Sequence, residues 1–295
     1  MQDREADEFR NRTALRDIWQ LFHRDRLALF CFYVFLVLIF IAIFSPLLAP
    51  YPIDMQFVGQ ELTPPSWVSQ GTVAYFVGTD DIGRDVFSRL LNGTTYTFGG
   101  ALIVVFITAI VGGVLGILAG MSQGLKARML GHFLDAFLVV PILLIAIIIA
   151  TLMEPSLINA MLAISLALLP QFIHEIYQAI QQELKKEYVL TLRLDGISKW
   201  ILLKKTVLPN ITVPYIKQIS RAFTIALLDI SALSFISLGA QRPTPEWGIM
   251  IRDSIELIYL APWAFILPGF AIIISILVVV VLTNRLCKAI LKYYK

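Results

Sequence analysis

Six apolar runs decide the fold class, because each reaches the roughly 20 residues that a helix needs to cross the hydrocarbon core of a bilayer. They fall at 27–48, 97–120, 130–153, 157–177, 215–238 and 262–287. Each run is continuously apolar, without the in–out alternation of barrel strands, so the spanning elements are helices. Composition agrees. The chain is 58% hydrophobic and 15% charged, whereas a soluble domain carries about 25% charge. Too few charges remain to cover a surface in water. The first run follows a charged stretch and lacks a small-residue cleavage site, which makes it a retained helix rather than a cleaved signal. The expectation is an all-α membrane protein of six transmembrane helices. Its parts are a tail at 1–26, a first helix at 27–48, an outer loop at 49–96, a core at 97–287 containing a polar loop at 179–214, and a tail at 288–295.

Lysine and arginine orient the chain, because they concentrate on cytoplasmic loops. The N-terminal stretch carries Arg4, Arg10, Arg12, Arg16, Arg24 and Arg26. Lys126 and Arg128 lie in the second gap, and Lys185, Lys186, Arg193, Lys199, Lys204, Lys205 and Lys217 in and around the fourth. Arg285, Lys288, Lys292 and Lys295 close the chain, against Arg84, Arg89, Arg242 and Arg252 on the opposite side. Both termini and the 186–210 loop are therefore expected in the cytoplasm.

That loop reads KEYVLTLRLDGISKWILLKKTVLPN. It is too polar to cross a membrane and too regularly patterned for a slack linker. Val189, Leu192 and Ile197 alternate with charges, as in short helices lying at an interface. Gly196 marks a turn between two such helices and Pro209 a stop. A cytoplasmic loop built in this way hands force to a soluble partner.

Two loops face the outside. The first contains Pro64-Pro65 and then GTDDIGRDVFSRLLNG at 78–93. Thr79 or Asp80 is expected to cap a short helix over 82–91, with Gly93 ending it. On that helix Val86, Leu90 and Leu91 would face the membrane, and Arg84, Asp85 and Arg89 water. The second loop, 239–261, contains PTPEWG at 243–248. Trp247, Tyr259 and Trp263 suit an interfacial aromatic belt.

Ionisable groups inside the apolar runs are candidates for function, because they are costly there. Asp135, His174, Glu175 and Arg221 qualify, but Asp135, His174 and Glu175 lie near helix ends and can snorkel to the interface. Asp229 is the most central. It reads either as a translocation-path contact or as a hydrogen-bonded packing anchor, and the anchor is preferred. Gly112, Gly116 and Gly120 put small residues on one helix face and predict close helix contact. No catalytic constellation is present. The sequence lacks GxxxxGK[ST] and HExxH, and its Cys31 and Cys287 have neither disulfide nor metal-ligand spacing. His23, His132 and His174 are scattered and read as structural. The acidic GTDDIGRD run lacks a twelve-residue calcium loop with a closing Glu.

These residues carry a family resemblance. The 186–210 loop resembles the Glu-Ala-Ala loop of binding-protein-dependent ABC importer permeases. Gly196 and Leu208-Pro209 match that pattern's spacing, while Leu190-Thr191-Leu192 stands where Glu-Ala-Ala would be and Thr206 replaces Ile. Glu187-Tyr188-Val189, Arg193 and Pro209-Asn210 fit the dipeptide and oligopeptide branch better. The 78–93 stretch is similar to the GTDxxGRDxxSRxxxG segment of that branch's C-type permease, and Asp229–Gly239 followed by PTPEWG is similar to another of its motifs. The matches span 15–286, with 194–196 and 256–263 narrowing the resemblance to one peptide-importer subfamily.

The resemblance implies a MetI-like permease subunit that moves peptides, cationic antimicrobial peptides among them, across a bacterial inner membrane. It implies a heterodimer with a homologous B-type permease, two ABC ATPases below and a periplasmic solute-binding protein above, with no nucleic acid. ATP and Mg would sit on the ATPases, and this chain would bind no cofactor or metal and catalyse nothing itself. A coupling helix over 190–197 would dock on one ATPase. The coupling residues carried over are Glu187, Thr191, Leu192, Arg193, Asp195, Gly196, Leu208 and Pro209. Asp80, Gly83, Arg84, Asp85, Asp229 and Trp247 are assigned to the periplasmic loop and translocation path. Two other transport readings remain, a polyamine (putrescine) export permease on the same scaffold and an ion-coupled secondary transporter. The latter would need inverted repeats and broken helices, which the sequence does not display. A membrane scaffold or assembly factor is the non-transport alternative.

Overall fold

The computed structural model describes residues 16–53, 55, 60–122, 131, 132, 134, 135 and 138–293. The long elements are helices, in the order α1 (Arg26–Leu48), α2 (Val86–Gly120), α3 (Ile142–Thr151), α4 (Leu157–Leu184), α5 (Glu187–Leu194), α6 (199–210), α7 (Thr212–Phe235), α8 (Trp247–Ser254) and α9 (Pro262–Tyr293). Among the described residues, α1, α2, α4 and α9 are long and apolar enough to cross a membrane. Helix α3 is apolar but shorter, and the expected third span, 130–153, lies partly outside the described residues. Helix α7 has 24 residues, but Gln218, Arg221 and Asp229 dilute its apolar character.

Close packing of α2 on α4 forms the centre. A Cβ added at Gly112 would meet the Phe172 ring at 3.0 Å, one at Gly116 would meet Ile176 Cβ at 2.7 Å, and one at Gly120 would meet Ile180 Cβ at 2.8 Å. The paired numbers rise together, so the two helices run parallel with their backbones in near contact along three turns. The glycine stripe thus has the packing role its spacing predicted. Where α2 ends, the Gln181 side-chain amide supplies the cap: its Nε2 donates to the carbonyls of Gly120, at 2.8 Å, and Ser122. Such terminal carbonyls lack intrahelical partners.

Aromatic rings tie the remaining spans to this pair. Phe98 on α2 is fully buried and lies edge-on to Phe35 of α1 and Phe223 of α7. Helix α9 packs against α1, α7 and α8. At its far end Arg285 pairs at 2.9 Å with Asp25, whose other oxygen caps α1 by accepting from the Leu27 and Ala28 N–H groups.

The outer loop departs from expectation. The helix starts at Val86, capped by the Asp85 carboxylate, which accepts from the Ser88 N–H at 2.8 Å. It does not stop at Gly93 but continues through a π-helical turn, Thr94–Gly99, into the spanning helix. Gly93 is there for close approach instead: a Cβ would stand 2.5 Å from the Trp247 indole. Arg84, Asp85 and Arg89, expected in water, are buried, and so is Val86.

Candidate coupling loop and outer platform

The polar loop is built on one inward-facing row. Val189 is fully buried, and Leu192 and Ile197 pack partly buried against the same core. This anchors α5 flat on the ends of the long helices. The helix spans Glu187–Leu194 rather than 190–197. It ends because Gly196 takes φ +80°, a left-handed conformation that costs glycine least. Ser198 then caps α6 by accepting from the Ile201 N–H.

Opposite the buried row, Glu187, Thr191, Asp195 and Gly196 are exposed, as a docking surface requires. Leu192 and Arg193 are half-buried, and Leu208 and Pro209 lie half-buried at the root of α6. The resemblance did not single out the apolar residues on the exposed side. Leu190, Leu194, Trp200 and Ile201 all project outward, Leu194 with 88% of its surface free and Trp200 with 73%. Clustered on a charged loop, they form the kind of apolar patch that marks a protein contact. Their signal was available as the residues left over once the inward row is removed.

A polar cluster missed entirely joins this loop to α4. Glu183, in the last turn of α4, is buried. It accepts a hydrogen bond from the Tyr188 hydroxyl and pairs with Lys186 Nζ at 2.6 Å. Asn210 Nδ2 donates to the Tyr188 oxygen at 2.9 Å. Desolvation, reinforced by the bond to Glu183, pushes the Tyr188 phenol up to about 12, so it remains a donor.

In the segment expected outside the membrane the predicted residues converge. Asp80 accepts from the Arg84 N–H at 2.9 Å and from the Arg84 guanidinium at 2.6 Å. Gly83, at φ +69°, makes the turn that permits both. Arg89 reaches the same carboxylate at 3.7 Å. Burial, with the Asp80 charge next, raises the neighbouring Asp81 carboxyl. Asp253 lies close by, paired with Arg242 at 2.8 Å and Arg252 at 3.3 Å. Buried charges of this kind stand only when paired. The result is a platform in which the paired charges of 80–89 adjoin those of Asp253 on α8 and Arg242 before it.

Trp247 lies inside the protein rather than in a belt, and Trp263 is half-buried. Trp247 is buried and donates from its indole to the Leu90 carbonyl at 3.2 Å, and Trp263 donates to the Thr79 carbonyl at 3.1 Å. Tyr259, 96% exposed, does suit the belt. Glu246 is a further residue that sequence reasoning missed. It is fully buried, caps α8 through the Ile249 N–H, and accepts from Thr97 at 2.8 Å and Ser231 at 3.1 Å. It thereby joins α2, α7 and α8.

Of the intramembrane candidates, Arg221 pairs with Glu175 at 3.1 Å across α7 and α4. His174 Nδ1 lies 3.3 Å from Asp135 without hydrogen-bond alignment. Asp229 is buried, and its Oδ2 has no hydrogen-bond partner among the described residues. The anchor expected there therefore finds no donor for that oxygen among the described residues. An open groove of about 480 Å³ between α7 and α9 is lined by Lys217, Arg221, Thr224 and Asn284.

An all-helical chain with several apolar spans, a built polar loop and a platform of paired charges is organised as a membrane transport component. The chain belongs to the family of binding-protein-dependent transport system inner membrane components, whose pattern matches residues 112–292. Residues 13–65 match the N-terminal transmembrane domain of oligopeptide transport permease C. Among individual relatives, the chain is 62% identical, over 98% of each chain, to the peptide transport system permease protein SapC of Haemophilus influenzae. It is 47% identical over 94% of each to the protein of that name from Escherichia coli O6:H1. To the dipeptide transport system permease protein DppC of Escherichia coli K12 it is 35% identical, over 90% of this chain and 88% of the other. The family read from the separated motifs is thereby confirmed, together with its narrower peptide-importer branch.

Proposed function

We propose that this chain is the pore-forming permease subunit of a peptide ABC transporter of the inner membrane, energised by separate ATPase subunits. The observation that carries the reading is the outward row Leu190, Leu194, Trp200 and Ile201 on the lysine-rich loop. Free apolar residues on a charged surface need a protein partner, and in a family of binding-protein-dependent transporters an ATPase fits. The relatives named for peptide and dipeptide transport support peptides as cargo. On this reading six helices span the membrane, with 130–153 and α7 completing the four apolar spans. Both termini and the loop are cytoplasmic. A homologous permease pairs with this chain across α7, a periplasmic binding protein meets the outer platform, and ATP and Mg are held by the ATPases. The chain itself turns over nothing.

Reconstitution tests the reading. The purified complex in vesicles should take up peptide only with ATP and the binding protein. Uptake of putrescine instead, or uptake driven by an ion gradient without ATP, refutes it. Orientation is checked by single-cysteine labelling with an impermeant reagent, with Cys31 and Cys287 replaced by Ala. A cysteine at Ser69 should be modified in cells whose outer membrane is permeabilised, and one at Ser198 should not. The opposite pattern inverts the topology.

A further inference from the structure

The short break at Lys185 and Lys186 separates the end of α4 from the start of α5. The loop joins the spans at two points, at Ile211 before α7 and at this break, which is its direct route to α4. A two-residue break is a natural hinge, because a few element-terminal residues can absorb large φ/ψ changes. Left free, it would let the loop tilt without moving α4.

Three elements are tied across the break by one directional chain of hydrogen bonds. Asn210, at the end of α6, donates to the Tyr188 oxygen at 2.9 Å and to its own helix at the Thr206 carbonyl. Tyr188, in the first turn of α5, donates to Glu183. Glu183, in the last turn of α4, completes its pairing with Lys186 at 2.6 Å. Each group uses the polarity it has: the amide donates, the phenol accepts and donates, and the carboxylate only accepts. Glu183 is 4% exposed, so its carboxylate end of each bond is buried, and a bond to a charged acceptor is stronger than one between neutral groups. The apolar row of Val189 and Leu192 holds one face of α5 on the core. The polar chain adds a direct tie from the first turn of α5 to the last turn of α4.

Beyond the break the path is stiff. Helix α4 continues into the contact in which Ile180, Ile176 and Phe172 face Gly120, Gly116 and Gly112 of α2. The Gln181 amide, two residues before Glu183, holds the carbonyls at the end of α2. A tilt of α4 therefore carries α2 with it.

We propose that Glu183, Tyr188 and Asn210 are positioning residues forming a transmission latch, which locks the loop to α4 so that its displacement moves the α4–α2 pair instead of flexing the break at 185–186. This rests on the loop being the ATPase contact. The latch touches neither ATP nor cargo. Its loss uncouples the two activities rather than abolishing either.

The test uses the full complex with its partner permease and ATPases, carrying Tyr188→Phe, Asn210→Ala or Glu183→Gln. Tyr188→Phe keeps the ring and removes only the hydroxyl. ATPase recovery and ATP hydrolysis should stay near the unmodified level, while peptide taken up per ATP falls about threefold or more, since a hydrogen bond to a charged acceptor shifts an equilibrium by roughly tenfold. Glu183→Gln should fall between, because its carbonyl can still accept from the phenol. Spin labels at exposed Gln182 and Lys199, with Cys31 and Cys287 replaced by Ala, give a second readout. Their distance distribution should broaden in Tyr188→Phe. Unchanged uptake per ATP with an unchanged distribution overturns the latch. So does a parallel loss of ATPase recovery, hydrolysis and uptake, which would make Tyr188 part of the docking fold. Should the unmodified permease fail to retain ATPases, the functional reading falls, and the distance distribution in the permease alone still judges the latch.

Discussion

Gly116→Ala is the sharpest probe of the helix contact on which the fold depends. The added methyl would stand 2.7 Å from Ile176 Cβ, 3.0 Å from its Cγ2 and 3.1 Å from the Ile173 carbonyl oxygen. Carbon atoms in good contact sit about 3.5–4.0 Å apart, so the helices must part locally by roughly 1 Å. Neither obstacle can swing away, because one is a branched Cβ and the other is backbone. A gap of that size forfeits a quarter to a half of the attraction between the atoms it separates. The helices are stiff, so the neighbouring contacts of Gly112 and Gly120 open as well. Overpacking of this kind costs about 1–3 kcal/mol. Gly112→Ala is the internal control: its nearest contacts, Phe172 Cδ1 at 3.0 Å and Cβ at 3.2 Å, are longer and need a shift of only a few tenths of an ångström. Thermal unfolding of the detergent-solubilised complex, read by size-exclusion chromatography after heating, should show Gly116→Ala lowered by about 2–8 °C. Gly112→Ala should shift by less than half as much. A Gly116 variant as stable as its parent, or equal losses for both, would refute the parallel close-packed contact.

Other perturbations test the loop and the buried acid. A Cβ at Gly196 would meet nothing within 4 Å, yet the residue holds φ +80°. Gly196→Ala should cost about 1–2 kcal/mol in loop stability from backbone strain alone. Gly196→Asp should in addition lower ATPase co-purification, and normal recovery with normal transport would remove Gly196 from the docking face. Asp229 has an oxygen with no partner among the described residues, and a partner from a neighbouring permease is expected. Asp229→Asn should keep assembly and most transport, whereas Asp229→Leu should lose complex yield by roughly 1–3 kcal/mol of lost contact. An assembled but transport-dead Asn variant would show that the charge serves cargo instead.

Length and hydropathy are local properties, which is why the sequence alone determined the membrane class and the four long apolar spans, while the family was legible through its separated motifs. The Gly112, Gly116 and Gly120 stripe was legible for the same reason, since helical periodicity fixes which residues share a face. The inward row Val189, Leu192 and Ile197 was legible as well, and its complement names the exposed face. The outer loop was not. Arg84, Asp85 and Arg89 read as water-facing because their charges are costly to bury alone. Their partner was close in sequence but needed the turn at Gly83, which lets Asp80 receive Arg84, four positions on, and Arg89; the adjoining cluster in which Asp253 pairs with Arg242 and Arg252 comes from elsewhere in the fold. Gly93 read as a helix end, and only the Trp247 indole, 154 positions later, gives it its reason. Glu246 looked like one residue of PTPEWG until Thr97 and Ser231 closed on it from two other helices. Tyr188 and Asn210 were visible as letters of a motif, but their bond across 22 positions exists only once α6 folds back on α5. Hydropathy ranks each residue by its own transfer from water. The free energy of a buried polar group depends on partners that only the tertiary fold brings within 3 Å or so.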